Sequence, residues 1–194
     1  MHQKRKVFGK HFQKIKKPRY NFMKNVFTTK RICRAGIIAA LYVALTYLFM
    51  PFAYGPLQIR PAEALCILPL FFPEAIPALY VGCMLANLAS SPADVFLGSL
   101  ATLFAALGTF AVGKTLKNTG WKLLLGGLFP VLFNAFGIPL IIMFLSGGAE
   151  SASAAVYFSY VFSIGLSETV WVYALGVPLY FLVERLKNKL TFFQ

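Results

Sequence analysis

The residues with chemistry to offer stand out because their surroundings are hydrocarbon. Glu168 is the only charged residue between Glu150 and Glu184 and sits near the middle of an apolar run. An ionised carboxylate there is costly unless it is paired or faces water. A neighbouring helix can hold it as a neutral carboxyl, or it faces a ligand; we read it as ligand-facing. Tyr157, Val161, Ile164, Glu168 and Trp171 recur at helical spacing and give one face with two aromatics and an acid. Asn134 lies midway along the preceding run and Asn87 near the end of an earlier one. Amides in hydrocarbon either bridge helices or meet a polar ligand. Arg60 and Glu63 are three residues apart, so they can pair on one helical turn or both touch a ligand. Just before them the segment PFAYGPLQIRP, residues 51–61, carries Phe52, Tyr54, Gln58 and Arg60, more chemistry than a connector needs. Together these polar groups make the lining of one outward-opening cavity. Asp94, after Ser90, Ser91 and Pro92, reads as a helix N-cap with a structural role.

Other chemistries lack their parts. Residues 108–115, GTFAVGKT, match the phosphate-loop pattern G-x-x-x-x-G-K-T. That pattern works only where a strand feeds a loop whose amides cradle phosphates at a helix N-terminus. Here it ends an apolar helix, so Lys114 reads as a charge anchoring a span, and the chain has no ATPase of its own. His2 and His11 lie near the N-terminus, and Cys33, Cys66 and Cys83 have no metal-ligand spacing, so neither a metal nor a cofactor is expected. No nucleophile has a base nearby, which argues against an enzyme, although Glu63 and Glu168 could meet in space as an intramembrane acid pair.

The elements that must hold these residues are set by composition. Of 194 residues, 58% are apolar and 13% charged, about half the charge of a soluble domain. The chain is therefore expected to be an all-α integral membrane protein. The net charge of +13 suggests nucleic acid at first sight, but 12 of the 19 basic residues precede residue 35. We read residues 1–34 as a basic cytoplasmic tail against anionic headgroups, with Met23 a possible true start. A basic stretch before an apolar run also resembles a secretory signal, but that run ends at Pro51 without a small-residue cleavage site, so it reads as a retained helix. Residues 35–185 form the membrane domain and 186–194 a short second tail. Apolar runs cover about 35–50, 62–72, 75–89, 95–113, 123–145 and 152–183. The second and third are short for a helix that needs about 20 residues to cross. Basic residues cluster in the tail, at Lys114, Lys117 and Lys122, and at Arg185, Lys187 and Lys189, so these segments are cytoplasmic. An even number of crossings then separates residue 34 from residue 114: the short pair both cross, or neither does. The expectation is a six-transmembrane-helix bundle with both termini cytoplasmic and loops 51–61, 90–94 and 146–151 outside. On the first helix Ala35, Gly36, Ala39, Ala40 and Ala44 form a small-residue face that admits another helix closely, from this chain or from a partner.

The strings ALYVALTYLF, GPLQIRPAEALCILPLFFPEAIPALYVGCMLANL and GSLATLFAA resemble the queuosine-precursor S-components of energy-coupling factor transporters. The likeness runs from about Arg34 to Val183 and is densest over residues 40–105. It implies a six-helix substrate-binding subunit in the cell membrane that captures its ligand at the outer face. It also implies association with a transmembrane coupling protein carrying two cytoplasmic ATPases. In such proteins the first outer loop covers the pocket, here Phe52 to Arg60, and small residues on the first helix meet the coupling protein, here Ala35 and Ala39 or their neighbours. The implied cargo is queuine or another 7-deazaguanine. Its ring N–H and exocyclic amine match one carboxylate, an aminomethyl group suits a second acid, and the flat rings suit Tyr54, Tyr157 or Trp171. An S-component for another vitamin-like molecule is the alternative, with an intramembrane enzyme or a ligand-free structural adaptor behind it.

Overall fold

The computed structural model describes residues 28–54, 58–144 and 153–189, which include no strand. Most of the expected basic tail, part of the 51–61 loop and the expected 146–151 loop lie outside them. The helices are α1 (Thr29–Leu48), a single turn α2 (Met50–Ala53), a 3-10 helix (Pro61–Leu70), α3 (Ala75–Asn87), a π turn (Asp94–Gly98) running into α4 (Ser99–Thr115), α5 (Thr119–Phe144), α6 (Ala154–Ala174) and α7 (Gly176–Lys189). Four helical stretches are long and apolar enough to cross a membrane: Thr29–Leu48, Asp94–Thr115, Thr119–Met143 and Ala154–Lys187. The 3-10 helix and α3 are the shorter apolar helices. At about 2.0 and 1.5 Å per residue, each is about 20 Å long.

Ten residues is long for a 3-10 helix. Pro61 opens it, Pro69 sits within it and Pro73 follows it, and residues 61–69 are all buried. It touches α3, α4, α5, α6 and α7. Irregular backbone away from water is stable only where protein covers it, and here the other helices form the cover. Its side chains Ala62, Leu65, Cys66 and Leu68 share the main core with Ile38 and Tyr42 of α1 and with Leu79, Cys83 and Ala86 of α3.

Glycine sets how closely these helices approach. A Cβ on Gly82 of α3 would stand 3.0 Å from Tyr42 Cβ and 3.1 Å from the Ala39 carbonyl of α1; one on Gly113 of α4 would stand 2.9 Å from the backbone of Leu70. Gly126 and Gly127 of α5 meet Leu70 and Tyr173 in the same way. Small residues let backbones meet where lipid offers no hydrophobic gain from separation.

Arg34, expected to belong to the solvated tail, is buried and forms an ion pair with Glu74 at 3.0 Å, its guanidinium 4.2 Å from the Phe72 ring centroid. The correction has a plain cause: Arg34 falls on the inward stripe of α1 with Ile38, Tyr42 and Thr46, and a buried charge needs a partner. The pair also fixes direction. The start of α3 lies beside the start of α1, Gly82 lies beside Ala39, and Leu85 near the far end of α3 accepts from Tyr47 near the far end of α1. The two helices therefore run parallel, and the 3-10 helix returns the chain between them.

Candidate functional site

At the end of the bundle away from Arg34, the polar groups of five elements converge. The residue before a proline is held extended, and Arg60, at φ −123° and ψ 86° before Pro61, obeys this. Gln58 takes φ 44°, a left-handed conformation that is unusual for a non-glycine residue. The segment is closed by the Ile59 amide donating to the Phe52 carbonyl at 3.0 Å, and Ser167 of α6 donates to the Gln58 carbonyl at 3.2 Å. Gln58 and Arg60 thereby become buried parts of the bundle instead of a solvated loop.

Arg60 Nη2 donates to Asn87 Oδ1 at 2.5 Å, and Asn87 Nδ2 donates to the Asp94 carbonyl at 2.9 Å. The guanidinium also lies 5.1 Å from the Tyr54 ring centroid. Tyr54 donates to the Ala86 carbonyl at 2.5 Å, satisfying one of the acceptors that the end of α3 leaves free. Glu63 accepts from the Tyr42 hydroxyl through a short hydrogen bond and from Cys66 Sγ at 3.1 Å. Arg60 and Glu63 thus turn to different partners, and their pairing on one helical turn, one of the two sequence readings, does not form. Glu168 accepts from Asn134 Nδ2 at 3.0 Å through Oε1. Glu63 and Glu168 expose only 1% and 2% of their surface. Among the described residues no Lys or Arg stands within ion-pair distance of either acid.

Several buried atoms are left without partners. Glu168 Oε2 and Gln58 Oε1 accept nothing, Arg60 Nε donates to nothing, and Ser99 Oγ at the start of α4 has no partner. Buried polar atoms are nearly always satisfied, by protein, by ordered water or by a bound molecule. The unmatched set holds two acceptors from Glu168 and Gln58 and a donor from Arg60, which suits a flat polar edge bearing both donors and an acceptor.

The aromatic candidates separate. Tyr54 belongs to the cluster through Arg60. Trp171 is half-buried beside Phe49, ring centroids 6.4 Å apart, one position from the buried stripe Ile164, Glu168 and Val172. Tyr157 lies three turns away, and its hydroxyl donates to the Phe136 carbonyl at 3.2 Å, tying α6 to α5. Asp94 is not the N-cap that its flanks suggest. Its own amide donates to Ser91 Oγ, while its carboxylate accepts a short hydrogen bond from Ser90. The small-residue face of α1 also divides: Ala35 and Ala39 pack against the core, whereas Gly36, Ala40 and Ala44 are exposed and a Cβ on Gly36 would meet nothing within 4 Å. Tyr42, Ser99 and Ser167 carry no chemistry in the sequence reading, and Cys66 enters it only as a cysteine without metal-ligand spacing. Tyr42 had a readable signal, its place at helical spacing from Ile38 and Thr46.

The phosphate-loop match lies inside α4, where its amides are spent on helical hydrogen bonds. Its glycines have packing roles instead, Gly108 facing the Phe129 ring and Gly113 the Leu70 backbone.

A curated relative, the queuosine precursor transporter QueT of Lactococcus lactis subsp. cremoris (strain MG1363), is 36% identical over 98 residues, covering 48% of this chain and 58% of that protein. The match thus spans little more than half of the relative's length. No solved structure matches. The family described as QueT transporter matches over residues 32–185, the stretch that holds the core, the parallel α1 and α3 and every residue of the polar cluster. The chain belongs to the QueT transporter family.

Proposed function

We propose that this chain is the substrate-binding S-component of an energy-coupling factor importer in the plasma membrane, capturing queuine or a related 7-deazaguanine at the outer face. The observation that carries the reading is the set of unpartnered buried atoms on Gln58, Arg60 and Glu168. A 7-deazaguanine edge offers a ring N–H and an amine to Glu168 Oε2 and Gln58 Oε1, and its carbonyl to Arg60. Each satisfied pair is worth about 1 kcal/mol net, more where a charge takes part. Glu63, with both oxygens already accepting, serves chiefly to hold Tyr42 and Cys66 in place beside the ligand.

In this reading the bundle crosses the membrane six times with both ends cytoplasmic. The Arg34–Glu74 pair supports it, because a chain that starts α3 beside the start of α1 has recrossed through the 3-10 helix. The ligand site then lies in the outer half, near the ends of α1 and α3. Energy comes from a coupling protein with two cytoplasmic ATPases, which meets α1 along Gly36, Ala40 and Ala44. Ala35 and Ala39 stiffen that face from behind.

The test is titration of the purified chain in nanodiscs with 7-deazaguanines, guanine and adenine, followed by uptake assays in cells with and without the coupling protein and its ATPases. The reading expects saturable binding of 7-deazaguanines by the solitary chain and uptake only with the partners present. Uptake by the chain alone, or no preference over adenine, would overturn it.

A further inference from the structure

The polar cluster holds one guanidinium, and its aim is set from outside the cluster. Asn87, which accepts from Arg60, has its amide fully assigned. Its Nδ2 gives one proton to the Asp94 carbonyl at 2.9 Å and the other to Cys83 Sγ at 3.4 Å, leaving Oδ1 for Arg60 Nη2 at 2.5 Å. Turned over, the amide would set its oxygen against a carbonyl and its N–H groups against a guanidinium that only donates. The Asp94 carbonyl, the closer of the two acceptors, therefore decides which end of the amide Asn87 shows to Arg60.

That carbonyl belongs to the π turn Asp94–Gly98, a rare geometry that interrupts the regular helical ladder. The start of the turn is pinned on the side away from Asn87. The Asp94 carboxylate accepts a short hydrogen bond from Ser90, the Asp94 amide donates to Ser91 Oγ at 3.2 Å, and the Val95 amide donates to the Ser91 carbonyl at 3.1 Å. At the other end of the turn Gly98 leaves room for the amide, since a Cβ there would stand 3.2 Å from Asn87 Nδ2.

Resting on the deazaguanine reading, we propose that Asp94 is a positioning residue. Its carboxylate, tied to Ser90, holds its carbonyl against Asn87, and Asn87 holds Arg60 at the carbonyl oxygen of the ligand. Asp94 thereby sets how strictly the site demands an oxygen acceptor at that edge, while touching no ligand atom itself.

The probes are 7-deazaguanine and 6-thio-7-deazaguanine, which share the ring N–H and the amine and differ where the carbonyl oxygen becomes a longer, weaker-accepting sulfur. Titrated into the full chain in nanodiscs, the oxygen ligand should bind the native protein about tenfold more tightly, as expected for one well-made buried hydrogen bond. In Asp94→Ala, which frees the turn from Ser90, this preference should fall to about threefold or less, because a guanidinium free to shift accommodates either atom. Asp94→Asn keeps an oxygen for Ser90 and should restore the native preference. A merely structural role would lower both affinities together and leave their ratio unchanged. Should Asp94→Ala fail to fold, Ser90→Ala severs the same bond from its other partner and takes its place. A native-sized preference in that variant, an equal loss in Asp94→Asn, or no preference in a native chain that binds 7-deazaguanine would overturn the positioning role and leave the deazaguanine reading standing. A native chain that does not bind 7-deazaguanine overturns both.

Discussion

The two ends of α4 show how differently one helix can be used. Toward Thr115 it is glycine-packed: Gly113 stands against the Leu70 backbone and Gly108 against Phe129, while Thr109 donates to the Gly126 carbonyl at 2.8 Å, so contacts are close and nothing is left over. Toward Ser99 it faces Asn87 and Cys83, and buried polar atoms outnumber their partners. One end is a finished scaffold and the other an unfinished one. Close packing holds the first against strain, and the shortage of partners in the second is what a ligand can relieve.

Crowding the finished end should do the greatest damage. A Cβ on Gly113 meets backbone atoms that cannot rotate away, so Gly113→Val should cost about 3 kcal/mol or more, at the upper end of overpacking. The check is monodisperse yield on size exclusion together with the melting temperature in detergent; a native elution profile and Tm would erase the contrast. At the unfinished end, Glu168→Gln places a donor where the ligand offers donors. Binding should weaken about tenfold or more, equivalent to about 1–3 kcal/mol, with the melting temperature of the free chain little changed. Unaltered affinity in a folded variant would remove Glu168 from the site.

Asn87→Ala probes the edge of the unfinished end, because Asn87 links Arg60 to the π turn that leads into α4. Stranding Arg60 should lower stability by about 1–2 kcal/mol and ligand affinity in parallel, both readable in a thermal shift series with and without ligand. Gly36→Leu should do least to the chain itself. It meets empty space and gains helix propensity, so stability should stay within about 0.5 kcal/mol of the parent. Co-purification with the proposed coupling protein should nevertheless fall. Ala39→Trp is the informative contrast, since Ala39 backs onto Gly82 and its bulk should destabilise even the solitary chain.

Much of the site was legible because charge in hydrocarbon is rare enough to be noticed residue by residue. Glu168 and Asn134 meet across α5 and α6, and Arg60 and Asn87 meet across 27 residues of sequence. Partner choice was less legible. Spacing brought Glu63 within reach of Arg60, but the 3-10 backbone and the extended residue before Pro61 aim them apart, and neither geometry follows from a pattern of apolar residues. Tyr42 hid within an apolar run because its ring satisfies the hydrophobic period while its hydroxyl does polar work. Residues such as Ser99 and Ser167 carry no signal until a fold brings something to them. Arg34 misled because it ends a basic run, and only the position of Glu74 in space reveals it as part of the bundle.

The buried 3-10 helix has a consequence for how the protein is made. It leaves the ribosome after α1 but before α3, α4, α5, α6 and α7, the helices that enclose it. In the six-crossing reading, until they arrive a segment about 20 Å long, too short to span alone and carrying Glu63, has no stable home in lipid. It must wait at the membrane surface or within the insertion machinery and enter only as its neighbours assemble. The step that completes this bundle therefore comes late in synthesis, and it moves one of the earliest pieces of the chain.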